Sequence, residues 1–117
     1  MNAINLAQKK CEPCEGGVKP FDKQKAQELL GQIPGWQLSG DAKTISRDYN
    51  AKNFMTAVNF MTQVAAVAES ENHHPDIHLT GYRKLRIDLS THAIGGLSEN
   101  DFIVAAKINE LSIELKK

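Results

Sequence analysis

A chain of 117 residues with 41% apolar and 24% charged residues is long enough to bury one modest core and too apolar to be disordered. Lysine plus arginine equals aspartate plus glutamate at 14 each, so no basic excess recommends nucleic acid as a partner. No apolar run reaches membrane-spanning length and the N-terminus lacks the order of a signal peptide, which points to a cytoplasmic protein.

Residues 1–20 read as a flexible leader that contains the only two cysteines, Cys11 and Cys14, in CEPCEGG. A single CxxC supplies half of a structural zinc site, or a redox pair. No second CxxC and no strand–helix frame of thioredoxin type accompanies it, so a mobile leader with reduced thiols is the simpler reading. The folded domain is expected over 21–117. Its first helix is expected in FDKQKAQELLGQIP, with Ala26, Leu29, Leu30 and Ile33 on one face, Asp22 as N-cap, and Gly31 and Pro34 closing it. GWQLSGDAKTISRDYN predicts a hairpin: Trp36 and Leu38 alternate, Ser39-Gly40-Asp41 turns, and Ile45, Arg47 and Tyr49 follow with period two.

A long helix is predicted from Asn50, as its cap, to about Ser70. Phe54, Val58, Met61, Ala65 and Ala68 form one apolar stripe at helical spacing. Ala57, Phe60, Val64 and Val67 form a second beside it. Together they cover about half the circumference, the pattern either of a helix that buries against a sheet and another helix at once or of one seated deep in a single core. DIHLTGYRKLRIDLST predicts a second hairpin turning at Gly81-Tyr82. Its outgoing strand alternates Leu85, Ile87 and Leu89 with Lys84, Arg86 and Asp88, the pattern of a sheet covered on one side. After Gly95-Gly96, SEND resembles a capping box with Asp101 in place of the usual glutamate or glutamine. The helix it opens carries Phe102, Ala105, Ile108 and Leu111 inward and is expected to end near Leu115. The fold class is therefore α+β: a four-stranded antiparallel sheet covered on one face by helices, in the order α-β-β-α-β-β-α.

Three of the four histidines fall within six residues, in ESENHHPDIH. His73 and His74 lie where the long helix gives way to the third strand, and Pro75 disfavours helical geometry at His74. His92 follows the fourth strand in LSTHAIGG. The third and fourth strands form a hairpin, so the entry of one and the exit of the other are neighbours. His92 thus joins His73 and His74 at one sheet end, near a Gly-Gly loop expected to be flexible. Three readings stay open on the residues alone. Three histidines can bind zinc, with Glu69, Glu71 and Asp76 nearby as outer carboxylates, although adjacent histidines chelate one ion poorly. Imidazoles titrating near neutrality can instead exchange protons with a substrate. Or the histidines are ordinary polar loop residues, as strand parity suggests for His78. No serine or cysteine nucleophile stands in a catalytic order with them.

The spacing resembles a known family. Glu69, three residues, His73-His74-Pro75, six residues, Tyr82, nine residues, His92, eight residues and Asp101 is similar to the signature of the pterin-4a-carbinolamine dehydratases, also called dimerisation cofactor proteins. LSTHAIGGLSENDFIVAAKI resembles the family's C-terminal block and IPGWQL its first strand, so the resemblance covers about residues 20–112. It implies dehydration of a 4a-hydroxytetrahydropterin to quinonoid dihydropterin plus water, which recycles the pterin of aromatic amino acid hydroxylases. No cofactor and no metal is then required. On this resemblance His73, His74 and His92 are the catalytic candidates. His73 and His92 serve as acid and base on opposite faces of the flat ring, and His74 chiefly orients it. Glu69, Pro75, Ser90 and Thr91 are the candidate substrate-binding residues, with Glu69 orienting a histidine or the ligand. Asp101 is read as a helix cap. The resemblance also implies sheets pairing into dimers and long helices packing into tetramers. Partners would be a pterin and further copies of the chain, with a functional link to a hydroxylase and neither nucleic acid nor membrane. A non-catalytic alternative, a dimerisation or coactivator module, follows from animal relatives that bind a homeodomain activator. Related proteins in molybdopterin metabolism share the motif. Two positions depart from the family: Ile77 where some members carry an aromatic, expected to alter one pocket wall, and Asn72 where an acid is common.

Overall fold

A computed structural model describes residues 6–11 and 19–116. Cys14, and with it half of the CxxC motif, lies outside the described residues. Helix α1 spans Lys23–Leu30 and Asp22 caps it, its carboxylate accepting the Lys25 N–H at 2.8 Å. Ala26 and Leu29 face the core, followed by Ile33, all at most 5% exposed. Strand β1 is only Gln37–Leu38 and pairs antiparallel with β2, Ile45–Asn50. The turn between them is wider than Ser-Gly-Asp. The Ser39 hydroxyl oxygen accepts the N–H of both Lys43 and Thr44 and so holds residues 39–44 closed. Trp36 stands just before the strand, and its indole N–H donates to Asn109 Oδ1 at 2.9 Å.

Helix α2 spans Phe54–Glu71 and starts later than expected. Asn53 caps it, accepting the Thr56 N–H at 2.9 Å, whereas Asn50 ends β2. The cause lies at the far end of the chain. The tail pairs with residues 50–52, where Lys116 N–H bonds Asn50 C=O and Lys52 N–H bonds Glu114 C=O, which keeps this stretch extended. The same pairing explains why α3, Glu99–Asn109, stops six residues short of Leu115. Strands β3, Asp76–Thr80, and β4, Lys84–Leu89, complete an antiparallel sheet in the order β1-β2-β4-β3. Ile45, Tyr49, Leu85, Ile87 and Leu89 point to one face and are buried among Phe60 and Val64 of α2 and Phe102 and Ile108 of α3. Lys84 and Arg86 are exposed on the other face with His78, whose Nε2 lies 3.0 Å from Asp88. The α+β architecture and its element order are those read from the residue pattern.

Residues 6–11 differ from the mobile leader expected. Leu6 is 2% exposed within the core and begins a 3-10 turn against α3. Lys107 donates to the Ala7 carbonyl at 2.9 Å and Lys9 pairs with Glu99 at 3.0 Å. The buried Leu6 side chain and the two lysine contacts hold this stretch against α3. Among the described residues no helix is long and apolar enough to cross a membrane.

Candidate active site

The site starts where α2 ends. Asn72 takes the left-handed conformation, φ 51°, and the His73 N–H turns back to the Ala68 carbonyl at 3.2 Å. Asparagine tolerates this geometry better than most residues, which accounts for its presence at a position where an acid was the alternative. The turn throws His73 and His74 to different sides. His73 is mostly buried, and its Nε2 lies 2.6 Å from Oδ1 of Asp101. His74 is half exposed, and its Nε2 lies 2.5 Å from Oε2 of Glu69 one turn back on α2.

The second wall comes from the end of β4. Thr91 forms a bridge with Gly96, its N–H donating to the Gly96 carbonyl at 2.8 Å. The loop expected to be flexible is thus closed on itself. It makes a single 3-10 turn, His92–Ile94, that ends on Gly95 at φ 67°. A Cβ at Gly96 would lie 2.8 Å from Pro20, so only glycine lets the chain pass there. His92 opens this turn and is exposed.

Asp101 links the two walls. It is fully buried in the first turn of α3. Oδ1 faces His73, while Oδ2 accepts the Ser98 N–H at 3.0 Å, closing a capping box, and the Thr91 hydroxyl at 2.8 Å. The Ser98 hydroxyl lies 2.8 Å from the Thr91 oxygen. Because Thr91 gives its hydrogen to Asp101, Ser98 is the donor in that contact. Asp101 therefore is a cap, as expected, and also the partner of His73. Thr91, expected at the pterin edge, has its hydrogen committed to that carboxylate.

A cleft of about 480 Å³ opens between the walls, within the range of small-ligand sites. Of the expected residues, His73, His74, His92, Ser90 and Thr91 line it together. Glu69 does not, acting on His74 instead, and Pro75 does not either. Ile77 sits on the edge strand against the core and is not part of the cleft wall. Glu71, Asn72, Cys11 and Asn100 line it without having been assigned there. The Glu71 side chain is 7% exposed; its Oε1 accepts the Cys11 N–H at 2.8 Å and its Oε2 lies 3.6 Å from the Lys107 ammonium. Burial works to raise the Glu71 pKa, but the Cys11 N–H and Lys107 together hold it below the ordinary carboxylate value. Burial, joined by the negative charge of Glu71, pushes the Cys11 thiol up to about 12. Among the described residues no three His, Cys, Asp or Glu side chains converge on a point that would hold a metal ion.

The sequence pattern of the family described as pterin 4 alpha carbinolamine dehydratase matches residues 19–111. The chain belongs to the pterin-4a-carbinolamine dehydratase family. It is 48% identical over 108 residues to a putative pterin-4-alpha-carbinolamine dehydratase of Halorhodospira halophila, covering 92% of this chain and 98% of that one. It is also 48% identical over 113 residues to pterin-4-alpha-carbinolamine dehydratase 2, mitochondrial, of Arabidopsis thaliana, where it spans 94% of its own length but only 60% of the plant protein. A crystal structure described as a transcriptional coactivator/pterin dehydratase from Brucella melitensis superposes with a TM-score of 0.71 at 33% identity, over 78% of this chain and 96% of that one. Apart from Cys11, the residues that line the three-histidine cleft all lie within the stretch that matches the family.

Proposed function

We propose that the cleft dehydrates a 4a-hydroxytetrahydropterin to quinonoid dihydropterin and water by proton transfer through His73 and His92. The observation that carries this reading is the pairing of His73 with buried Asp101 in a cleft shared with His92. With the carboxylate as acceptor, Nε2 of His73 carries the proton and Nδ1 is left as the basic nitrogen. When Nδ1 takes the proton from N5 of the pterin, Asp101 stabilises the imidazolium that results. The N5 electron pair then forms the C4a=N5 double bond. The C4a–O bond breaks as a protonated His92 gives its proton to the departing hydroxyl, which leaves as water. His92 is exposed and recovers its proton from solvent. One proton is accepted and one donated, with no change of oxidation state. His74, braced by Glu69, orients the ring, and Ser90 offers a hydroxyl to its edge.

The role that goes with this reading is recycling of the pterin used by aromatic amino acid hydroxylases, and the compartment we propose with it is the cytoplasm. A homo-oligomer is the second element of the proposal. Phe54 and Met55 at the start of α2 are 49% and 57% exposed, and the stripe continues through half-buried Val58 and Met61 to exposed Ala65. A second copy of this helix would bury it.

Stopped-flow assay of a chemically generated carbinolamine tests the catalytic reading. His73→Ala and His92→Ala are each expected to lower kcat by about 10²–10⁴-fold, the usual worth of a positioned acid or base, with unchanged circular dichroism. Wild-type rates in both variants would discard the assignment.

A further inference from the structure

The segment Leu6–Cys11 lies outside the family match, and the proton transfers above make no use of it. It nevertheless reaches the cleft. Leu6 anchors it in the core, and Lys107 holds it by the Ala7 carbonyl. The same ammonium faces Glu71, whose other oxygen takes the Cys11 N–H. One mostly buried ion pair therefore joins the end of α2, the end of α3 and the N-terminal strap. Beyond it the Cys11 side chain lines the cleft, its S–H 3.6 Å from the Asn100 carbonyl.

We propose that the strap Leu6–Cys11 is a wall of the pterin cleft, that Cys11 is a specificity-determining residue on it, and that Lys107 is the positioning residue that holds it there through Glu71. The identity of the ligand rests on the dehydratase reading; the wall does not. A nucleophilic or metal-binding cysteine acts as a thiolate, and the Cys11 environment opposes ionisation up to about 12. The side chain therefore meets a ligand as a small neutral surface. Glu71 has both oxygens engaged, which suits an anchor better than a base. The strap is gripped through two backbone groups, the Ala7 carbonyl and the Cys11 N–H, and both grips survive a change of the side chain at position 11. Chemistry at C4a and N5 is the same for every pterin. Discrimination among ring substituents falls to wall residues that handle no protons, and Cys11 is one of them. Removing the Lys107 charge leaves Glu71 buried without its cation, which loosens the strap and not the histidines.

The experiment uses the full chain with Lys107→Met, Lys107→Arg, Cys11→Ala and Cys11→Met. Turnover is measured on 6-methyl and 6-dihydroxypropyl carbinolamines. Alkylation of Cys11 by iodoacetamide is followed peptide by peptide, with and without 7,8-dihydrobiopterin. Lys107→Met is expected to raise KM about fivefold with kcat within about twofold, and Lys107→Arg to restore it, the signature of lost uniform binding. Cys11 should be alkylated faster in Lys107→Met and more slowly in wild type with dihydrobiopterin bound. Cys11→Ala and Cys11→Met should move the ratio of kcat/KM for the two substrates in opposite directions. An identical ratio in both cysteine variants and wild type would overturn the specificity role. Unchanged alkylation in Lys107→Met would overturn the positioning role. Absence of turnover by wild type, with dihydrobiopterin still protecting Cys11, would sink the dehydratase reading and leave the wall standing.

Discussion

Asp101 holds two posts at once, and only one of them was legible locally. Ser98 and Asp101 stand three apart, the spacing of a capping box, so the cap follows from four consecutive residues. The bond to His73 spans 28 positions, and only the resemblance to a family pattern hinted at it. The two roles separate by substitution. Ser98→Ala should cost about 1 kcal/mol of stability, as loss of a helix cap does, and keep kcat near wild type. Asp101→Asn keeps an acceptor for the Ser98 N–H but removes the charge facing His73, and should lower kcat by about 10²-fold. Urea unfolding and stopped-flow turnover on both variants check this. Cys11 gives a second prediction, in the alkaline range. Its thiol has a reference pKa of 9.0 and is pushed up to about 12 in the fold. The neutral thiol's contribution is complete below 9.0 and is lost between 9.0 and 12, where the unfolded chain alone sheds the proton. Wild type should therefore lose melting temperature more steeply than Cys11→Ala across that window, as read by differential scanning fluorimetry.

At the scale of elements, local periodicity placed the three α-helices and four strands, but it missed the two 3-10 turns and misjudged where some elements begin and end. Ile108, Leu111 and Leu115 continue a helical spacing, yet the chain leaves the helix after Asn109 because the tail pairs with Ala51. That pairing also displaces the cap of α2 from Asn50 to Asn53. Nothing near either site announces a contact between residues more than sixty apart. Asn109 itself is a junction. Its Oδ1 accepts from the Trp36 indole and from Arg47, and its amide donates to the Pro34 carbonyl. It ties the end of α3 to the approach to β1 and to β2. Asn109→Ala leaves the 5% exposed Trp36 N–H without that acceptor, and should cost about 1–3 kcal/mol, measurable by urea unfolding with tryptophan fluorescence.

For the molecule as a whole, the wide apolar arc of α2 was read as facing two partners, and only half of it is covered here. Ala57, Phe60, Val64 and Ala68 are buried against the core, while the Phe54–Val58–Met61–Ala65 stripe is left partly or fully open. Val58→Glu and Met61→Glu should therefore lower the mass seen by light scattering while leaving circular dichroism unchanged. The clustering of three histidines was legible because a hairpin brings its two ends together whatever else the chain does. The contributions of Glu71, Cys11 and Asp101 were not, because they depend on a strap and a helix arriving from opposite ends of the sequence. Residues 11, 71–74, 90–93 and 100 share the cleft, so its walls are drawn from nearly the full span of the polypeptide. Turnover must then be among the last properties to emerge during refolding. A nascent chain still short of its third helix already carries all three cleft histidines but lacks Asp101, and activity serves as a stricter gauge of nativeness than helix content.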